Sequence, residues 1–182
     1  MKTHIYTAEE ARKRLVEGNQ RYTGSKALSI DTSEETIKSS LQGQKPYAAI
    51  ITCSDSRVIP EAIFSAGIGE LFVVRVAGNV IDKVQLGSIE YAVEHLGVRL
   101  IVVLGHDRCG AVHSALHHES EGNIKCITDE ILKAVGDERD ESKACRLNTE
   151  HSCGVIKNSL QNPDLTVIGA LYHLESGAVE FL

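Results

Sequence analysis

The chain has 182 residues, of which 42% are hydrophobic and 24% charged, and this composition predicts one domain with a substantial core. Its formal charge of −6 at pH 7 excludes nucleic acid and anionic membrane surfaces as expected partners, because both require basic patches. Residues 1–30 lack a signal-peptide core and no apolar run has transmembrane length, so we expect a cytoplasmic protein. The five cysteines, an odd number, favour reduced thiols and metal ligands over a disulfide framework.

The amino-terminal residues 1–42 are predicted to form a helical arm, followed by an α/β core over 43–182. Thr7-Ala8-Glu9-Glu10 has the pattern of a capping box, so an amphipathic helix is predicted over 8–23. A second, short helix is expected near 33–41, and a Gly- and Pro-containing turn then leads into the core.

Strand and helix patterns alternate through the core. Apolar, β-branched runs indicate buried strands, and the segments between them have helical periodicity. This alternation predicts an α/β fold, with a mostly parallel central β-sheet flanked by helices. The predicted strands cover 48–52, 71–76, 99–104, 165–171 and 178–182, and the predicted helices cover 85–96, 110–117, 124–135 and 143–160.

Metal-ligand residue types directly follow two of these strands. Cys53 comes after the run 48–52, and His106 and Cys109 come after the run 100–105. The carboxyl ends of parallel strands share one edge of a sheet, where open α/β sheets place their ligand crevices, so the three residues are expected to meet. Two thiols and an imidazole are a common zinc ligand set, and three protein ligands leave a position for water or for Asp55.

Each residue considered singly has a plainer explanation. Cys53 and Cys109 could be ordinary buried thiols, and His106 could be a hydrogen-bonded core histidine. Their combination at this spacing favours the metal centre.

Two motifs around these residues resemble the β-class carbonic anhydrases. They are Cys-Ser-Asp-Ser-Arg-Val at 53–58 and Gly-His-Asp-Arg-Cys-Gly-Ala-Val at 105–112. The resemblance continues through 72–80, 86–93 and 169–172, whereas 113–164 match weakly. It implies a β-carbonic-anhydrase-like fold and the reversible hydration of carbon dioxide to bicarbonate and a proton by zinc-bound hydroxide.

The resemblance also implies roles for individual residues. Cys53, His106 and Cys109 would hold Zn²⁺, and Asp55 with Arg57 would form the catalytic dyad. Asp55 could then accept a proton from the nucleophile while the guanidinium of Arg57 holds the carboxylate through a bidentate pair. Without that pair Asp55 could become a fourth zinc ligand in a closed state, and the sequence leaves both states open. A simple loop salt bridge is the alternative for the dyad.

Four further positions are implied to bind substrate. Gln44, Phe72 and Tyr91 match pocket residues that some family members place across a dimer interface, and Gly110 lets the backbone pass close to metal or substrate. A homodimer or a tetramer with sites at the dimer interface is therefore predicted. Gln44 could equally be only a turn residue, and Phe72 and Tyr91 only core residues.

Two other functions are also compatible with these residues. A hydrolase of carbonyl sulfide or carbon disulfide would keep the same fold and metal. A catalytically silent protein that binds zinc or bicarbonate would also keep the fold, but it would have little need for the complete set of dyad and ligands.

The remaining histidines and cysteines are expected to be structural. His113 and His117 have i, i+4 spacing, which can bind a metal, but a solvated histidine face that includes His118 is favoured, with a proton relay as a further alternative. Cys126, Cys145 and Cys153 show no partner pattern and are interpreted as small buried or surface thiols.

Overall fold

A five-stranded sheet forms the centre of the computed structural model, which describes residues 5–25 and 31–182. Four strands run parallel, and the fifth pairs antiparallel at one edge in the order β2-β1-β3-β4-β5. The predicted α/β fold with a mostly parallel sheet is confirmed. The strands are β1 (Ala48–Thr52), β2 (Leu71–Arg75), β3 (Leu100–His106), β4 (Thr166–Tyr172) and β5 (Val179–Phe181).

The two central strands are buried along their whole length, as their continuous apolar sequences predict. Every residue of β1 and β3 is buried, because helices cover both faces of a parallel sheet. Ile50 and Val102 pack into the core on one face, and the next residues along each strand, Ile51 and Val103, pack into the core on the other face. The sheet therefore has two cores, one on each face.

Seven helices in the described residues surround the sheet. The predicted helices are present with boundaries shifted by up to two residues, and one short helix after β1 was not predicted. The helix that was predicted over 85–96 begins two residues earlier, because Asp82 and Gln85 form a capping box at its start. The helices are α1 (Ala8–Ser25), α2 (Glu34–Ser40), α3 (Pro60–Ile63), α4 (Lys83–Glu94), α5 (Gly110–Leu116), α6 (Ile124–Val135) and α7 (Glu141–Leu160).

The first helix packs directly on the sheet. Ala11 and Leu15 are fully buried in the core that also contains Ile50. Asn19, which is buried, donates to the carbonyls of Ile63 and Gly177 at 3.2 and 2.9 Å. The amide thus fastens α1 to the end of α3 and to the turn before β5.

A third core lies beyond the carboxyl edge of the sheet. Helices α5, α6 and α7 contribute Val112, Ile131 and Ala144, and these side chains share one cluster with Cys53 and Cys109. The helices therefore enclose the edge at which both motifs emerge. No helix in the described ranges combines the length and the apolar character needed to cross a bilayer.

Candidate metal centre

Cys53, His106 and Cys109 meet at the carboxyl edge of the sheet. Cys53 directly follows β1, His106 ends the adjacent strand β3, and Cys109 directly precedes α5. One ligand atom from each side chain lies within 4.8 Å of the other two, and all three residues are buried. The structure therefore brings together the three side chains that the sequence predicts as metal ligands.

The donor atoms of this cluster fit a zinc ion. Nδ1 of His106 lies 2.8 Å from the carbonyl oxygen of Asp107, and a carbonyl only accepts, so Nδ1 carries the hydrogen and, in the neutral imidazole that binds a metal, Nε2 keeps its lone pair. Nε2 is buried and has no hydrogen-bond partner. An imidazole with a free lone pair beside two sulfur atoms is a donor set that zinc prefers.

The two sulfur atoms share a hydrogen bond at 3.9 Å. This bond lowers the pKa of Cys53, and together with burial it raises the pKa of Cys109. The pair loses one proton readily, whereas a second thiolate in the same buried space requires a nearby cation. The chemistry of the pair agrees with a site for a divalent metal ion.

Arg57 holds the carboxylate of Asp55 beside the ligands. Its Nε and Nη2 donate to Oδ1 and Oδ2 at 2.9 and 2.7 Å, and its backbone N–H donates to Oδ1 at 2.9 Å. These bonds lower the pKa of Asp55 to about 2. Oδ2 also lies 3.9 Å from Nε2 of His106, so an ionised carboxylate reaches the rim of the cluster.

A tight turn behind Cys53 supplies a further contact that the sequence reasoning missed. The backbone N–H of Gly78 donates to Sγ of Cys53 at 3.3 Å, from a left-handed conformation with φ of 67°. On α7, Asn148 donates to the carbonyl of Gly78 at 2.7 Å, and Ser152 donates to the carbonyl of Asn79 at 3.0 Å. The Gly78 position lies inside the family-like stretch 72–80, but nothing local in the sequence points to Asn148.

Arg75 is a second residue that the sequence reasoning missed as part of the site. It ends β2, and its guanidinium donates to the carbonyls of Cys53 and Asp55 at 3.2 and 2.7 Å. The backbone that carries the first ligand and the dyad carboxylate is thus fixed from the neighbouring strand. The signal for this role is a charged residue at the end of an otherwise apolar strand.

The residues predicted to bind substrate divide into two groups. Gly110 follows Cys109 directly, and a Cβ added there would meet no atom within 4 Å, so the space beside this ligand is open. Phe72 pairs with Ala49 on β1. Ala49 precedes Cys53 by four residues, which is a separation of roughly 13 Å along a strand.

Tyr91 and Gln44 also lie apart from the cluster. The Tyr91 ring is 6.4 Å from that of Phe72 and 48% exposed. Gln44 is exposed and precedes β1, at the opposite end of the strand from Cys53. Within one chain, Gln44, Phe72 and Tyr91 are not brought to the ligand cluster.

The three other cysteines lie outside the ligand cluster. Cys126 is exposed, whereas Cys145 and Cys153 are buried, and none of the five cysteines forms a disulfide. Burial raises the pKa of Cys145 and of Cys153 to about 11. These two thiols therefore stay protonated and unreactive at neutral pH.

Comparisons with known proteins agree with this geometry. A family model described as carbonic anhydrase matches residues 48–179. A carbonic anhydrase of Mycolicibacterium smegmatis is 40% identical over 92% of this chain and 90% of its own length. Carbonic anhydrase 2 of Mycobacterium tuberculosis is 37% identical over 91% of this chain and 88% of its own length.

Solved β-carbonic anhydrases share the fold. The enzyme CafA of Aspergillus fumigatus has a TM-score of 0.75 and 25% identity, over 96% of this chain and 89% of its own. The Coccomyxa enzyme, solved with acetazolamide, has a TM-score of 0.70 and 27% identity, over 92% and 84% of the two chains. Fold, motifs and relatives lead to one conclusion: this chain belongs to the β-class carbonic anhydrases, enzymes whose general reaction is the reversible hydration of carbon dioxide.

Proposed function

We propose that this chain converts carbon dioxide and water to bicarbonate and a proton, reversibly, with Zn²⁺ held by Cys53, His106 and Cys109. The observation that carries the proposal is the buried Cys-His-Cys cluster, with a free Nε2 lone pair, beside a bidentate Asp55–Arg57 pair. Zinc bound there would supply Lewis acidity, which makes a water molecule acidic near neutral pH.

The residues around the cluster have distinct roles in this proposal. The carboxylate of Asp55 accepts a hydrogen bond from the attacking water and so directs an oxygen lone pair at the carbon of carbon dioxide. Arg57 occupies both carboxylate oxygens, which keeps Asp55 ionised and turned away from a fourth ligand position. Gly110 leaves room for the small, nearly apolar substrate.

We further propose that the active unit is a homodimer or a tetramer. The support is that Gln44, Phe72 and Tyr91 lie away from the metal centre of their own chain, so a partner subunit is needed to bring them to it. A chain from the crystal structures of two β-carbonic anhydrases of Sordaria macrospora, both described as tetrameric, has a TM-score of 0.69 and 28% identity, over 91% of this chain and 93% of its own.

Oligomer size can be tested together with activity. Light scattering of the protein as it elutes from a size-exclusion column is expected to show a dimer or a larger species at every concentration at which the protein is active. Phe72→Ala is expected to raise KM or lower kcat while the zinc content stays unchanged. A monomer with full activity would overturn this part of the proposal.

The reaction is tested by stopped-flow hydration of carbon dioxide, with zinc content measured on the same samples. Zinc-dependent turnover is expected in the wild type and loss of both zinc and turnover in Cys53→Ser. Cys126→Ser is the matched control, because Cys126 is exposed and outside the cluster. Stoichiometric zinc without turnover would contradict the proposal and favour a sulfur-gas hydrolase or a silent zinc-binding protein.

A further inference from the structure

A second group of ligand-type side chains lies outside the metal centre, where α5 meets α7. His113 lies on α5 and His117 follows one turn later at its end, while Glu141 is the first residue of α7. One ligand atom from each side chain lies within 4.8 Å of the others. In the described ranges 5–25 and 31–182, this is the second of two such groups, and it contains no thiol.

The hydrogen bonds of the two imidazoles determine which nitrogen is free. Nδ1 of His113 lies 2.5 Å from Oε1 of Glu141, and Nδ1 of His117 lies 2.9 Å from the carbonyl oxygen of His113. An ionised carboxylate and a carbonyl only accept hydrogen bonds, so both Nδ1 atoms carry the hydrogen. In the neutral imidazoles both Nε2 atoms therefore keep their lone pairs, and each ring is oriented from behind as in known metal-binding histidines.

The two rings are also arranged as a pair. They stack with centroids 4.1 Å apart and an angle of 28° between their planes. This contact places the side chains next to each other without a metal, and the two rings turn in place for both lone pairs to point at one ion. The i, i+4 spacing of two histidines on one helix face is a spacing by which proteins bind zinc.

We propose that the Nε2 atoms of His113 and His117 form a second, exchangeable site for a borderline divalent transition metal such as Ni²⁺, Zn²⁺ or Cu²⁺, with Glu141 orienting the His113 ring from behind. Imidazole nitrogen suits these ions, whereas Mg²⁺ and Ca²⁺ prefer oxygen ligands. The side chains of His113 and Glu141 are 49% and 42% exposed, so the ion exchanges with solvent.

The test is a calorimetric titration of Ni²⁺ into the zinc-loaded protein. One Ni²⁺ per chain is expected to bind to the wild type with the zinc content unchanged. His113→Ala and His117→Ala should each weaken binding at least about 10-fold, and Glu141→Gln should weaken it by about 10-fold through loss of an outer partner. His113→Gln can still donate to Glu141, so it removes the ligand nitrogen while keeping the link between the helices.

His118→Asn is the matched control. His118 neighbours the site but does not belong to it, and it has a positive φ of 55° that asparagine tolerates. This variant should bind Ni²⁺ as the wild type does. Ni²⁺ should also raise the Tm of the wild type and of His118→Asn but not that of His113→Gln, because a ligand that binds only the folded state stabilises it.

Two results would overturn the proposal. One is the absence of a second equivalent of metal up to millimolar Ni²⁺. The other is equal Ni²⁺ affinity in the wild type, His113→Gln and His117→Ala. Neither result bears on carbon dioxide hydration, because the zinc at the Cys-His-Cys cluster is measured independently in every sample.

Discussion

Asp55 is positioned by one neighbouring side chain. Arg57 donates to it through Nε, Nη2 and the backbone N–H, and the two residues are only two positions apart in the sequence. This local pair keeps the pKa of Asp55 at about 2, so the carboxylate stays ionised throughout the neutral range. The proposed role of Asp55 then depends on its presence and its orientation.

Replacing this carboxylate should separate turnover from metal binding. Asp55→Ala is expected to lower kcat by about 10²-fold or more, the range for loss of a positioned acid or base. Zinc content should stay at the wild-type level because the three ligands are unchanged. Stopped-flow assays with metal analysis measure both, and Asp129→Ala, on the exposed face of α6, is the control. Near wild-type turnover in Asp55→Ala would contradict the dyad role.

A side chain at Gly78 would disturb the turn behind Cys53. A Cβ there would lie 2.8 Å from Cδ1 of Ile131 and 3.1 Å from Cβ of Ala111, at φ of 67°. Gly78→Ala is therefore expected to cost about 1–3 kcal/mol of stability and to accelerate zinc loss to a chelator, because its N–H contacts the Cys53 sulfur.

Urea unfolding measures the stability change. Gly154→Ala, in the interior of α7 with no atom within 4 Å of the added Cβ, should instead raise stability by about 0.5–1 kcal/mol through helix propensity. Equal effects of the two substitutions would contradict the strain argument at Gly78.

Among the elements, α7 supports the metal centre without contributing a ligand. It buries the polar side chains of Asn148, Thr149 and Ser152, which would be unfavourable on a helix that only filled a core. Two of them hydrogen-bond to the carbonyls of the turn behind Cys53. The polar stripe of α7 therefore holds this turn in place.

Removing one of these amides should weaken both the fold and the metal site. Asn148→Ala leaves the buried carbonyl of Gly78 unpaired, and we expect a loss of about 1–3 kcal/mol in unfolding free energy together with faster zinc release. Denaturant unfolding and a chelator competition assay measure the two effects. Asn158→Ala, exposed on the same helix, should change neither, and zinc release at the wild-type rate in Asn148→Ala would refute the supporting role.

For the molecule as a whole, two buried tyrosines determine how the free energy of unfolding changes at high pH. Tyr47 and Tyr172 are 3% and 4% exposed, and burial raises the pKa of both phenols above their ordinary value. Because the folded-state pKa exceeds the unfolded one, the resulting stability is complete below about pH 10. It is lost as the pH rises towards the folded-state pKa.

Alkaline titration should therefore show two classes of tyrosine. Phenolate absorbance of Tyr47 and Tyr172 is expected to appear together with the loss of circular dichroism, since these residues ionise when the chain unfolds. In Tyr47→Phe, the amplitude that accompanies unfolding should fall by roughly half, one of the two buried phenols being absent. Ionisation of all tyrosines before any loss of structure would contradict this expectation.

Local sequence patterns were enough to predict the strands, most helices and the three metal-ligand-type residues that meet at the edge of the sheet. Continuous β-branched runs mark strands that are buried on both faces, and β1 was predicted with the bounds that the structure has. These three residues were predictable as candidate ligands because each lies within four residues of the end of such a run. The four-residue α3 has too few turns for a periodic pattern, which explains why it was not predicted.

The distant residues that support the site are brought to it by the folding of the chain. Asn148 meets Gly78 across 70 positions, and Glu141 meets His113 across 28. Such contacts depend on strand order and on which helix faces pack together, and neither has a local signal in one sequence. Packing between chains is a further requirement for Gln44, Phe72 and Tyr91, because their proposed place at the site lies in a partner subunit. Local patterns specify the ligands, whereas long-range packing specifies what orients them.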